Sequence, residues 1–186
     1  FIEGRGDLII RPMNPAASIG IGGGVGTLDI SDAELALLSD GFSSLTIGDS
    51  SAGSGSVAVD SAVFRDPITI VGGSISVDNG ITGSGGITLT ARDDNSLGQD
   101  IAINSGAIDD ALGNVIFSGG DLVEIQSGAS VSAPQGIIVL DADRAAADPD
   151  PGVGGVVVVV GPLSSSSGTF LSGGLDGDQF TVSTQS

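Results

Sequence analysis

The sequence predicts an all-β fold, a parallel β-helix with three short strands per coil of about 20 residues and one short helix near residues 32–39. Three observations carry the prediction. A short pattern recurs as Ile75-Ser-Val-Asp-Asn-Gly80-Ile, Ile101-Ala-Ile-Asn-Ser-Gly106-Ala and Val123-Glu-Ile-Gln-Ser-Gly128-Ala, with starts 26 and 22 residues apart. A second series accompanies it: Ile68-Thr-Ile70, Ile87-Thr-Leu89, Val115-Ile-Phe117 and Ile137-Ile-Val139. Glycine fills 32 of 186 positions with no collagen period, far above the usual share of about 7%.

Each piece alternates apolar residues with small or polar ones, so one face of each strand is apolar. The glycine that follows permits a sharp corner. A unit this short cannot bury its apolar face alone, so it must stack on a copy of itself at a spacing of ~4.8 Å. Equivalent aliphatic side chains then pile into ladders, and Val77, Ile103 and Ile125 should form one column. A third, weaker strand position follows the glycine at Thr82, Ile108 and Val131. An antiparallel sandwich also has many short strands, but hairpin signals are few, and Asn79-Gly80 is the only Asn-Gly pair.

Taken in order, residues 1–7 contain Ile2-Glu-Gly-Arg5, which matches a protease cleavage sequence. They are set aside as a tag or linker remnant or a disordered start. Residues 8–66 read as less regular coils, with strand-like pieces at Asp7–Arg11, Gly26–Ile30, Ser44–Ile47 and Ser56–Asp60. Between them, Ser31-Asp-Ala-Glu34 is a capping box. It predicts a helix over 32–39 with Leu35 and Leu38 facing the core and Gly41 ending the turn. Residues 67–186 read as regular coils, interrupted by polar loop insertions at 92–100 and 144–155, the second holding Asp148-Pro-Asp-Pro151.

Composition removes much chemistry. The chain has no His, Cys, Trp or Tyr, and no Lys; its five basic residues are all Arg. That excludes a Ser-His-Asp triad, a thiolate nucleophile, a disulfide, a Schiff base and a Walker lysine. The net charge of -18 repels nucleic-acid phosphates and anionic lipid, so neither is an expected partner. The longest apolar run, Val156–Val160, is far too short to span a bilayer.

The candidate sites are sparse. Asp176 and Asp178, in Gly173-Gly-Leu-Asp-Gly-Asp-Gln-Phe180, approach a calcium-binding nonapeptide, but the motif occurs once and departs where glycine is expected. Calcium is therefore a weak cofactor candidate, and no other cofactor is expected. Val156, Val158 and Val160 leave apolar side chains outside a strand, as a packing surface for another protomer or for the chain's own tail, Leu163 to Phe180. Asp141 and Asp143, Asp93-Asp94 and Asp109-Asp110 are the paired carboxylates a glycosidic acid–base mechanism would use. No Trp or Tyr is present to stack a sugar ring. The Gly20–Gly26 cluster does not fit G-x-G-x-x-G and reads as a close-packed corner.

A family resemblance rests on Ile19-Gly-Ile-Gly-Gly-Gly-Val-Gly-Thr-Leu-Asp-Ile30, Ala33-Glu-Leu35, Asp40-Gly-Phe-Ser-Ser-Leu-Thr-Ile-Gly48 and Phe64-Arg-Asp-Pro-Ile-Thr-Ile70. These stretches resemble a repeat of large bacterial exoproteins of the filamentous-haemagglutinin-like group, exported by two-partner secretion. Gly86-Ile-Thr-Leu-Thr-Ala91 and Gly128-Ala-Ser-Val-Ser-Ala133 resemble that group's generic coil. The resemblance implies a right-handed parallel β-helix, an internal segment of a longer adhesin-like protein, secreted or at the bacterial cell surface. It implies no catalytic residues. It implies an outer-membrane secretion pore as one partner and a host or surface glycan or protein receptor as another. Self-association through the ends or faces of the solenoid is a further expectation. The alternatives are a carbohydrate-active β-helix enzyme, a lyase or hydrolase, and a subunit of an extracellular filament.

Overall fold

The computed structural model describes residues 1–92, 98–143, 155–173 and 179–182. The chain is nearly all β. In the first part, β1 (Asp7–Ile10), β2 (Ile19–Ile21) and β3 (Leu28–Ile30) precede α1 (Asp32–Leu35), then β4 (Ser44–Ile47), β5 (Val57–Val59) and β6 (Ala62–Val63). The middle holds β7 (Ile68–Gly72), β8 (Ile75–Val77), β9 (Gly80–Gly83), β10 (Ile87–Ala91), β11 (Asp100–Asp110), β12 (Val115–Gly119), β13 (Leu122–Ala133) and β14 (Ile138–Ala142). The last part holds β15 (Val156–Val159), β16 (Leu163–Ser165), β17 (Thr169–Gly173) and β18 (Gln179–Val182).

Among the described residues these strands form two long sheets, parallel throughout. Seven strands run in the order β1-β4-β7-β10-β12-β14-β17. Eleven form the other sheet, in the order β18-β15-β13-β11-β8-β5-β2-β3, with β6, β9 and β16 alongside. The chain passes from one sheet to the other and back, and each return pairs it with a strand placed earlier. The pairing crosses from the first part into the middle without a break, through β4 with β7 and β5 with β8.

Register is set by the alternation of apolar and polar residues. Val59, Val77, Ile103, Ile125 and Val159 lie opposite one another in successive strands, with Ile21 before them. The expected column of Val77, Ile103 and Ile125 is present, and all three are fully buried. In the other sheet Ile47, Ile70, Leu89, Phe117 and Leu140 align in the same way, all fully buried. The inward residues of both sheets pack into a single aliphatic core.

Two expected positions are shifted by one residue. Ile138, not Ile137, lies opposite Val115, so Ile138 and Leu140 face inward. The Asn114 side-chain oxygen accepts the Ile137 N–H at 3.0 Å and holds Ile137 before the strand. In the third series the inward residue is Ile81, opposite Ile108, while Thr82 faces out. The recurring glycines do not stack either. Gly80 lies opposite Ala107, and Gly106 lies opposite Ala129 across a register irregularity after Ile103. Each later strand takes one more residue round this corner, so a motif aligned on its glycines slips by one. With a period of two, one residue is enough to exchange the faces.

The helix is shorter than the expected 32–39. The capping box is in place: Glu34 N–H donates to Ser31 Oγ at 3.4 Å, and Ser31 N–H donates to Glu34 Oε2 at 2.9 Å. Leu35 is buried as expected. Beyond it the turns tighten, with Leu37 N–H donating to the Glu34 carbonyl and Leu38 N–H to the Leu35 carbonyl. Leu38 then forms a parallel bridge with Ile2. That bridge, and the start of β1 at Asp7, correct the expectation of a disordered or remnant start over residues 1–7.

The glycine cluster is the close-packed corner the sequence suggested. Gly22 has φ +60°, and a Cβ there would sit on the Ser61 carbonyl oxygen. Gly24 and Gly26 leave no more room, with backbone atoms about 2.0 Å from where a Cβ would stand.

Candidate functional site

The described part of the chain holds a cleft of 360 Å³ between α1, the Phe42 loop and β6. Local sequence builds it. The Ser31 cap starts α1, which buries Leu35 and packs against β6. Gly41, at φ +127°, lets the chain reverse so that Phe42 turns inward. Phe64 enters from the segment after β6 and is buried. Leu35, Phe42, Leu45, Ala62, Val63 and Phe64 give the walls an apolar character. Val63 is 67% exposed, so it lies at the mouth.

Four polar residues complete the lining: Asp32, Ser61, Arg65 and Asp66. Asp66 is only 9% exposed. Its Oδ1 accepts the Gly41 N–H at 2.9 Å, while Oδ2 has no hydrogen-bond partner among the described residues. Asp32 and Arg65 are exposed, and Ser61 is half-buried. The cleft therefore combines an apolar body with one buried carboxylate oxygen still able to accept. The sequence carried a trace of it, because two of the six phenylalanines flank the capping box at Phe42 and Phe64. Their convergence needs the third dimension.

The other carboxylates are held apart. Asp109 faces outward beside Thr82 and Ser132. Its neighbour Asp110 is fully buried, with Oδ2 accepting from Gly86 N–H at 2.8 Å and Oδ1 from the N–H groups of Leu112 and Gly113. Asp110 is thus a corner clamp whose oxygens are occupied by backbone. Asp141 and Asp143 do not share a face as expected. β14 ends at Ala142, and Asp143 turns inward with φ 58°. Asp49 clamps another corner, accepting from Ser51 Oγ at 2.6 Å, Ser51 N–H at 2.9 Å and Arg11 at 2.9 Å. These bonds, the Ser51 hydroxyl foremost, hold its carboxyl down at about 2. Asp100 is pushed upward by burial first, then by Asp121 and Glu124.

Val156 and Val158 face outward from β15 and are half-buried. They are flanked in register by Leu122 and Glu124 on one side and by Gln179 and Thr181 on the other. Val160 follows the strand and donates its N–H to the Ile125 carbonyl at 2.8 Å. The tail does not lie over these valines; β18 pairs beside them. The calcium candidates Asp176 and Asp178, the pair Asp93-Asp94 and most of the two loop insertions lie outside the described residues. Among the described residues no group of three or more acidic side chains is placed to hold a metal ion, and no helix is long and apolar enough to cross a membrane.

Comparison of the chain with family models, curated proteins and solved structures gives no match.

Proposed function

We propose that this chain is a structural and adhesive segment of a secreted or surface-exposed bacterial exoprotein, folded as a right-handed parallel β-helix with three strands per coil. The observation that carries the reading is the in-register pairing of equivalent apolar residues through strand after strand without a change of direction. Such a stack has length and stiffness as its product, because each layer contacts only its neighbours. Acidic residues on the outside keep it soluble, and the absence of cysteine suits folding outside the cell without oxidants. In this reading the partners are an outer-membrane pore during export and a glycan or protein receptor at the display face.

Deleting Ile101–Leu122 tests the layered construction, since it brings Val123 into the place of Ile101. The shortened protein should fold and lose about 4.8 Å of length in small-angle scattering. A protein that no longer folds would contradict independent layers.

A second reading, end-to-end self-association, is favoured by the outermost strand. Phe180 and Val182 occupy the inward positions of Val157 and Val159, yet they are 48% and 56% exposed. β17 and β1 end one sheet and β18 and β3 the other. A translated copy would therefore continue both ladders in the parallel sense. Sedimentation velocity tests it. Oligomers should grow with concentration and with added salt, which screens the repulsion between highly charged copies. A monomer at every concentration and salt level would exclude it.

A further inference from the structure

We propose that the cleft beside α1 binds a primary ammonium group carried on a small apolar body, an arylalkyl- or alkylammonium ion. The apolar walls set by Phe42, Phe64, Leu35 and Ala62 match a hydrocarbon or ring. Asp66 supplies the polar anchor: it is buried, one oxygen is fixed by Gly41, and the other keeps its acceptor capacity. An ammonium N–H is the donor that such an oxygen pairs with most strongly. Ser61 offers a hydroxyl acceptor and Asp32 a second carboxylate on the same lining. Arg65 also lines the cleft, but it is exposed, so solvent screens its charge. The net charge of -18 raises the local concentration of cations and disfavours anions of the same shape.

The probe is 2-phenylethylammonium, titrated at pH 7 into the isotope-labelled protein, with 2-phenylethanol and 3-phenylpropionate as neutral and anionic matches. Methyl shifts of Leu35, Ala62 and Val63 locate the binding. The ammonium ion should bind about tenfold or more tighter than the alcohol, and the carboxylate should not bind. Asp66→Asn keeps an oxygen for Gly41, and it should bring the cation and the alcohol to within about threefold of each other. Val63→Trp, at an exposed position, should fill the mouth and abolish the binding of both. The proposal fails if the alcohol binds as tightly as the cation, if Asp66→Asn leaves the preference intact, or if the shifts centre elsewhere or do not appear. Val63→Trp decides the location without reference to how Asp66→Asn folds: unchanged binding in that variant also overturns the proposal.

Discussion

Ile103 lies at the middle of a column, opposite Val77 on one side and Ile125 on the other, with no exposed surface. Ile103→Ala removes three carbons at about 0.8 kcal/mol each. The flanking strands are fixed by their own ladders and cannot close on the void, so the cavity raises the loss to about 3–4 kcal/mol, within the ~2–5 kcal/mol range for such truncations. Ile116 undergoes the same chemical change on the outward face of β12, between Thr88 and Val139. It is half-buried, and Ile116→Ala should cost about 1 kcal/mol. Urea unfolding followed by circular dichroism measures both, provided that the slope of the transition is unchanged. Equal losses in the two variants would refute the assignment of inward and outward faces.

Asp110→Ala strips a buried carboxylate from three backbone N–H groups and should cost about 3–5 kcal/mol in the same assay, with Asp110→Asn costing less because one acceptor remains. Asp49 has its carboxyl depressed from 3.8 to about 2. Its contribution is therefore complete above pH ~4 and is lost as the pH falls through about 2. A carbon-detected titration should show that midpoint, with Ser51 and Ala52 amide protection fading between pH 4 and 2, and Ser51→Ala should raise the midpoint. Asp100 has the opposite sign, because burial and its acidic neighbours Asp121 and Glu124 favour its protonated form. It destabilises the fold once ionised, so Asp100→Asn should have a higher urea midpoint than the parent at pH 7 and the same midpoint at pH 3.

The strands were legible because their signal is local. Alternation over three or four residues marked Ser44–Ile47, Ile68–Ile70, Ile87–Leu89 and Ile101–Ile103, and a shared spacing marked them as equivalent. What the sequence could not carry was the length of the corners. Gly80, Gly106 and Gly128 look equivalent, yet the register is decided by which aliphatic residue can reach the core, and this places Ile81 rather than Thr82 beside Ile108. The run Ile137-Ile138-Val139-Leu140 is apolar at every position, so its alternation has no visible phase, and the Asn114 bond to Ile137 N–H fixes it. The capping box gave the start of α1, but its end depends on Ile2, distant in sequence, taking the Leu38 backbone. The cleft was hidden for the same reason. Phe42, Phe64 and Asp66 each look ordinary, and only the pairing of β4 with β7 and of β6 with β9 draws them to one place.

Distances between spin labels along one sheet test the layered arrangement most directly. Ile9, Thr46, Thr69, Thr88, Ile116, Val139 and Phe170 form an outward column across the seven strands, and a chain without cysteine accepts labels at chosen sites alone. Pulsed electron resonance should give about 19 Å for Thr46–Val139, about 24 Å for Ile9–Val139 and about 29 Å for Ile9–Phe170, one strand spacing of ~4.8 Å per step. Distances that fail to lengthen with the number of intervening strands would contradict the account.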